Sequence, residues 1–296
     1  MTSPHHRPLR FGLVLFSPAT REQWVAKTRR AESLGYDVVS VSDHLGMPAP
    51  LATLALVAEA TERVRLGTLV LNTMFYRPTV LARELATLDH YAGGRLEVGL
   101  GAGYDKAQFD RAGLPWTGAG ERVDHLERTV RELRRAFRSP DIVPPPAQPG
   151  GPPLLIAGRG PRVLRLAAEH ADIVGFTATA PVADGEGLRL GGPDEITRRI
   201  ADVHDLLGDR TSEVELNVPV HRVLPNPAAV DTVTDVWQND LDLTPDEIAE
   251  LPSFLVGSPK ECAQRLLHRR DTYGLSYFSV LEPEMETFAK VIEELR

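Results

Sequence analysis

Asp43 and His44 directly follow Asp37–Ser42, a short run rich in β-branched residues. A histidine gains and loses its proton near neutral pH, so at the end of a strand it is well suited to proton transfer. The same pair of residue types also caps helices and forms turns, and both interpretations stay open at this point. Asp43 and His44 are the candidate catalytic residues.

A second candidate is the sequence Gly158-Arg159-Gly160, which precedes the helix start Pro161-Arg162. The first turn of a helix has free N–H groups and the positive end of the helix dipole, and both favour a phosphate. A tight turn between a strand and a helix would need the same glycines. The pattern therefore indicates either a phosphate site or a turn.

A third glycine-rich stretch runs from Gly99 to Gly103. It resembles a dinucleotide-binding loop but lacks the third glycine at the spacing of that motif. A turn, or the close approach of a flat ligand to the backbone, explains the glycines equally well. A nicotinamide dehydrogenase with an open sheet is therefore a disfavoured alternative.

The elements that must position these residues are short apolar runs separated by helical patterns. The runs are apolar on successive residues, as expected for parallel strands that are buried on both faces. Eight predicted strands share this pattern: Arg10–Phe16, Asp37–Ser42, Val64–Leu71, Arg95–Gly101, Leu154–Ala157, Asp172–Phe176, Val214–Val220 and Ser276–Leu281.

Amphipathic patterns between the strands predict helices. Six are clear: Arg21–Leu34, Pro78–Tyr91, Glu121–Phe137, Arg162–Glu169, Asp194–Leu207 and Pro259–Tyr273. Eight strands that alternate with helices predict an α/β fold of the TIM (β/α)8 barrel type, and 296 residues suit one such barrel. We expect a single domain over residues 1–296, with a helical insertion at about 231–253 before the last strand.

Two other features mark the barrel. Ser139–Pro153 contains seven prolines and predicts a surface connection. Ligand groups of such barrels lie where strands end, which adds Asn72-Thr73-Met74 after the third strand and Gly101–Tyr104 after the fourth.

Composition excludes several classes of function. A formal charge of −8 without a basic run disfavours nucleic acid and anionic membranes as partners. No apolar stretch approaches the roughly 18 residues of a membrane span, and the N-terminus lacks the apolar region of a signal peptide. The single cysteine, Cys262, excludes an internal disulfide and a multi-cysteine zinc site, so we expect no metal and a cytoplasmic location.

Four blocks of sequence, in order, resemble the bacterial luciferase-like monooxygenase superfamily, and the resemblance is greatest to its branch that uses coenzyme F420. The blocks are the SDH of Ser42–His44, Val64–Tyr104, Pro152–Phe176 and Phe254–Val280. The resemblance implies a TIM barrel that uses F420 for hydride transfer, or alternatively reduced FMN for monooxygenation, on a small organic substrate. It also implies a homodimer and, for FMN, a separate flavin reductase as partner.

The resemblance assigns roles to individual residues. It places His44 against the cofactor ring as proton donor or acceptor, and Asp43 at the ring edge. Asn72-Thr73 corresponds to a place where the family often has a non-prolyl cis peptide bond, and Tyr104 to a position that faces the substrate or the ring. Gly158, Arg159 and Gly160 correspond to the loop that binds the cofactor phosphate, and we add Gly103 and Phe176 to the cofactor site.

The chain also departs from the family pattern. Tyr104 stands where F420-dependent sugar dehydrogenases have an acidic glutamate, which argues against that activity. Gln108 stands where many relatives have Glu or Asp, and Ser139–Pro153 replaces a longer segment. A catalytically impaired flavin-binding barrel that acts as a binding or partner protein is therefore the alternative.

Overall fold

The strands of a closed barrel form the centre of the computed structural model, which describes residues 7–181, 188–226, 229 and 244–296. Each of the eight predicted strands is present. The thirteen described strands, including short ones outside the barrel, are β1 Arg10–Leu15, β2 Val38–Val41, β3 Arg65–Thr68, β4 Leu71–Asn72, β5 Leu96–Gly101, β6 Leu154–Gly158, β7 Ile173–Phe176, β8 Thr179–Pro181, β9 Leu188–Leu190, β10 Glu215–Val220, β11 Arg222–Leu224, β12 Phe254–Val256 and β13 Leu275–Leu281. Parallel pairing runs from β1 through β2, β3, β5, β6, β7, β10 and β13 back to β1.

Helices pack around the barrel, and all six predicted helices are confirmed within three residues at each end. Most begin with proline in the first turn, where its missing N–H costs nothing. None of the helices in the described ranges is long and apolar enough to cross a bilayer. The described α-helices are α1 Arg21–Ser33, α2 Pro50–Ala60, α3 Pro78–Tyr91, α4 Lys106–Arg111, α5 Ala119–Ala136, α6 Pro161–His170, α7 Pro193–Leu207, α8 Pro245–Glu250, α9 Pro259–Tyr273 and α10 Met285–Glu293.

The helical insertion before the last strand is present in the part of it that the structure describes. Residues 231–243 of the predicted insertion lie outside the described residues. Thr244 begins α8 with a capping box, in which its side chain accepts from the N–H of Glu247. The chain then enters β12, which pairs with β11 beside the barrel.

The third strand differs from its prediction because it is interrupted. The peptide bond between Leu69 and Val70 is cis, so the expectation of a cis bond at Asn72-Thr73 is wrong. Leu66 and Leu71 pair with Leu96 and Leu100 of β5. The first pair encloses one residue more than the second, so the chain bulges between Leu66 and Leu71. Glycines on β5 leave room for the bulge, because a Cβ on Gly101 would lie 2.8 Å from Cγ2 of Val70.

Charged side chains fill the barrel at the end where its strands begin. Arg10 forms ion pairs with Glu97 and Glu215, and Arg65 forms another with Glu97. Both carboxylates are buried, and the Arg10 guanidinium lies 4.7 Å from the ring centroid of Tyr277. We call the four charged residues, Arg10, Arg65, Glu97 and Glu215, the barrel-floor network.

The proline-rich segment Ser139–Pro153 is confirmed as a connection without helix or strand. Gln148 anchors it to the same end of the barrel as the barrel-floor network. Its side chain donates to Asp89 and to the carbonyl of Leu96, and accepts from Arg65 at 2.9 Å. The segment therefore lies at the end of the barrel opposite to the strand ends that carry the candidate site.

Glu282 links the last strand to the first at the other end of the barrel. Its carboxylate accepts from the backbone N–H groups of Phe16 and Ser17 at 3.0 and 2.9 Å, and from Lys27. Burial raises the pKa of Glu282, but these hydrogen bonds outweigh it and hold that pKa below its ordinary value.

Gly99→Ala should destabilise the barrel, because the added Cβ would lie 2.0 Å from the carbonyl oxygen of Thr68. We expect the free energy of unfolding to fall by about 1–3 kcal/mol or more, measured by urea unfolding. Gly118→Ala is the control, since no atom lies within 4 Å of its added Cβ. Equal stability of the two variants would contradict the assigned packing.

Glu282→Gln should lower the free energy of unfolding by roughly 1–3 kcal/mol at pH 7, because it removes a partly buried charged acceptor. Because the pKa of Glu282 is lower in the folded than in the unfolded protein, its carboxylate stabilises the fold at pH values above the unfolded-state pKa. This stabilisation is lost as the pH falls through the folded-state pKa. The difference from the wild type should therefore shrink below about pH 4, as measured by urea unfolding at several pH values. Glu286→Gln, which removes an exposed partner of Arg30, should have little effect at any pH.

Candidate active site

The carboxyl ends of the barrel strands bring together most of the predicted site residues. His44 follows β2 and Tyr104 follows β5, and their rings meet edge to face with centroids 6.1 Å apart. Tyr104 is 56% exposed, and His44 is half-buried. The two rings therefore form one side of an accessible surface at the mouth of the barrel.

Asp43 ties the loops of the second and third strands together. Its Oδ2 accepts from the N–H of Asn72 at 3.0 Å, and its carboxylate also accepts from the hydroxyl of Tyr76. Burial raises the pKa of Asp43, while these two hydrogen bonds act in the opposite direction. Burial also raises the pKa of Tyr76 far above its ordinary value, so its hydroxyl remains a donor.

His44 is held by Gln108 of α4 rather than by Asp43. The Nδ1 of His44 and the Nε2 of Gln108 form a short hydrogen bond. Asp105 caps the start of α4 and accepts from Gln108 as well, at 3.0 Å. The helix that follows the glycine loop of β5 therefore supports the histidine that follows β2.

Asn72 and Gly103 contact each other beneath these residues. The Oδ1 of Asn72 accepts from the N–H of Met74, and a Cβ on Gly103 would lie 2.5 Å from that oxygen. Gly103 has φ +77°, a conformation that favours glycine. Thr73 is fully buried and donates to the carbonyl of Gly101, so its side chain does not reach the mouth.

The loop Gly158–Gly160 has separate roles for its glycines. A Cβ on Gly158 would lie 2.4 Å from Cγ1 of Val163, so this glycine permits the tight entry into α6. At Gly160 a Cβ would meet no atom within 4 Å, and no side chain caps the helix start. The loop is thus both the turn and the open helix terminus that the sequence left as alternatives.

Phe176, in contrast, does not reach the mouth with its side chain. It is 2% exposed and belongs to the core outside the barrel wall. Side chains alternate along a strand, so the next residue, Thr177, points the other way. The Thr177 hydroxyl is buried and has no hydrogen-bond partner among the described residues.

Two arginines extend this region away from the barrel axis. A cavity of about 460 Å³ opens between α6 and α7, beside Arg159 and Arg199. Arg199 donates to the carbonyls of Thr177 and Thr179, whereas the side chain of Arg159 forms no hydrogen bond or ion pair within the described ranges. Burial, and then the charge of Arg199, lowers the pKa of Arg159, so an anion here would relieve both effects.

Three residues near the site were missed as site residues by the sequence reasoning. Thr177 could have been found from strand alternation, one position beyond Phe176. Gln108 was noticed only as a departure from the family pattern, and its partner His44 is 64 positions away. The sequence placed Tyr76 only in a loop expected to line the pocket, because its contact with Asp43 depends on the fold of two separate loops.

A sequence profile described as "luciferase-like monooxygenase" matches residues 10–189. An F420-dependent glucose-6-phosphate dehydrogenase of Amycolatopsis mediterranei is 32% identical over 221 residues, which are 64% of this chain and 62% of that protein. A 5,10-methylenetetrahydromethanopterin reductase of Archaeoglobus fulgidus is 30% identical over 162 residues, 51% of this chain and 48% of that protein. The matches thus span about half to three fifths of these relatives.

Solved structures share the fold over almost the whole chain. An F420-dependent secondary alcohol dehydrogenase, solved in complex with an F420-acetone adduct, superposes with a TM-score of 0.75. The superposition covers 98% of this chain and 100% of that one, at 19% sequence identity. At this identity the likeness establishes the barrel fold.

Tyr76→Phe should raise the pKa of Asp43 further, because the variant loses a donor that stabilises the carboxylate while burial is unchanged. Carbon-detected NMR titration of the Asp43 carboxyl group measures the shift. Tyr91→Phe is the control, since Tyr91 is 77% exposed. An unchanged Asp43 titration in Tyr76→Phe would show that the hydroxyl does not hold this carboxylate.

Proposed function

The chain belongs to the luciferase-like monooxygenase family, and we propose on that basis that it is an oxidoreductase that binds coenzyme F420 at the mouth of its barrel. The proposal rests mainly on the hydrogen-bond donors around Gly158–Gly160 that have no partner within the described residues and could bind an anion. One of the two relatives described above is named as F420-dependent, and the other as a methylenetetrahydromethanopterin reductase. FMN, which the sequence resemblance also implies, is the alternative cofactor.

The residues present fit the phosphate that both cofactors carry. The N–H groups of Arg162 and Val163 in the first turn of α6 lack a side-chain cap, and the side of Gly160 is open. Arg159 supplies a guanidinium and Thr177 a buried hydroxyl, and neither group has a partner within the described residues. A phosphate would satisfy all three kinds of donor, so Gly158, Arg159, Gly160 and Thr177 are assigned to it.

The remaining site residues suit the flat ring system. Leu69 and Val70 are half-buried and pack on Tyr277 and Leu155 inside the barrel, which gives an apolar surface next to the mouth. Asn72, Gly103 and Tyr104 border this surface, and His44 supplies a polar side chain beside it. F420 would supply two-electron hydride transfer there, whereas reduced FMN would activate oxygen for monooxygenation.

The residues at the mouth also bear on the substrate. Tyr104 stands where the sugar dehydrogenases of the family have an acidic glutamate, so we do not extend the glucose-6-phosphate activity of the relatives to this chain. A small organic substrate, a homodimeric assembly and, for FMN, a separate flavin reductase are parts of the proposal.

Titration of the protein with F420 and with FMN, followed by absorbance and fluorescence, tests the proposed function. We expect saturable F420 binding, and Arg159→Met should weaken it roughly ten- to hundredfold, because a charge-assisted contact to phosphate is lost. Thr177→Val should weaken it by a smaller factor.

Arg131→Met is the matched control, since Arg131 is exposed on α5 and pairs with Glu127. Equal affinity of Arg159→Met and Arg131→Met would remove the phosphate assignment. Saturable binding of FMN without binding of F420 would replace F420 by FMN, and binding of neither would refute the proposed function.

A further inference from the structure

The side-chain amide of Gln108 is fixed in orientation by two partners other than His44. Its Oε1 accepts from the backbone N–H of Leu45 at 3.0 Å, and its Nε2 donates to Oδ2 of Asp105 at 3.0 Å. A backbone N–H can only donate, and an ionised carboxylate can only accept. Rotation of the amide by half a turn would break both hydrogen bonds, so the nitrogen of the amide faces His44.

This orientation decides which nitrogen of His44 carries the proton. The amide nitrogen of Gln108 has two hydrogens; one is directed to Asp105, and the other is directed to Nδ1 of His44. Nδ1 must then accept, and in a neutral imidazole the proton lies on the other nitrogen. The contact therefore selects the tautomer with hydrogen on Nε2.

No other described group competes for the histidine ring. The carboxylate of Asp43 is occupied by Asn72 and Tyr76, and Tyr104 meets the ring only by an edge-to-face contact. Within the described residues, Nε2 forms no hydrogen bond, and His44 is half-buried at the mouth. The N–H of Nε2 is thus available to a bound molecule.

We propose that Gln108 is a positioning residue that holds His44 as the Nε2–H tautomer, so that His44 offers a hydrogen-bond donor to a carbonyl or oxyanion of the bound molecule. Such an imidazole polarises an acceptor while remaining neutral, and it cannot serve as a base through Nε2. The ligand atom next to His44 is then an acceptor rather than a hydroxyl group that loses its proton. Only the identity of that ligand rests on the proposed function.

Imidazole nitrogen NMR of the ligand-free protein tests this directly. Protein labelled with 15N in its histidines is examined at roughly pH 8, where an ordinary histidine is neutral. The His44 signals are assigned by their loss in His44→Gln. We expect Nε2 to be the protonated nitrogen of His44 and Nδ1 the unprotonated one, with at least about a tenfold excess of this tautomer.

Gln108→Glu should reverse the tautomer, because a carboxylate can only accept and would face Nδ1. Asp105 would then oppose a second carboxylate, so Asp105→Asn/Gln108→Glu is the second variant; its asparagine can donate to the glutamate and still cap α4. Gln264→Glu, an exposed position of α9 with the same change of charge, is the control and should leave the His44 signals unchanged.

A wild-type spectrum with the proton of His44 mainly on Nδ1 would overturn the proposal. So would an unchanged tautomer in a folded Asp105→Asn/Gln108→Glu protein. Reversal in either Glu variant, with no change in Gln264→Glu, supports it. Because no cofactor is added, these outcomes are independent of the F420 and FMN titrations, in which the proposed function succeeds or fails by itself.

Discussion

The barrel-floor network is the interaction on which the shape of the interior depends. Arg10, Arg65, Glu97 and Glu215 come from four different strands and converge inside the barrel at one level. Buried charges must remain paired, since an unpaired one is strongly unfavourable. A shift of one strand relative to its neighbours would separate these ion pairs and is therefore disfavoured. The ion pairs and the backbone hydrogen bonds between the strands together define the register of the barrel.

Glycines lie on the inner strands where neighbouring side chains already fill the interior. A side chain on Gly12 would meet the ring of Tyr277, and one on Gly67 would meet the hydroxyl of Ser40. On β5, Gly99 and Gly101 make room for the bulge at Leu69–Val70. The loops at the mouth are joined pairwise, through Asp43 to Asn72 and through Gln108 to His44.

Much of this arrangement could be predicted from sequence, for a physical reason. Buried parallel strands and amphipathic helices leave periodic patterns, so the barrel and its main helices were predictable. The nearly all-apolar α2, Pro50–Ala60, escaped because it lacks a polar face. Asp43, His44 and the Gly158–Gly160 loop could be proposed as site residues, because each directly follows a predicted strand. The end of a strand can be recognised from neighbouring residues alone.

What was missed depends on contacts between distant segments. The interruption at Leu69–Val70 is made possible by glycines on β5, about thirty residues later in the sequence. Similarly, the choice of Thr177 over Phe176 required the strand to be placed in the barrel, with one residue facing in and the other out. The role of Gln108 depends on three partners, two of which, His44 and Leu45, belong to another loop.

The anchoring of the proline-rich segment has a practical consequence. Gln148 and the contact of His90 with the carbonyl of Pro145 fix its later half, and Val143 is 76% exposed. The stretch from Ser139 to Val143 lies on the barrel end away from the mouth, and exposed loops of this kind accept foreign sequence well. It is therefore a suitable point for fusing a reporter domain or attaching the protein to a surface, with the mouth left facing the solution.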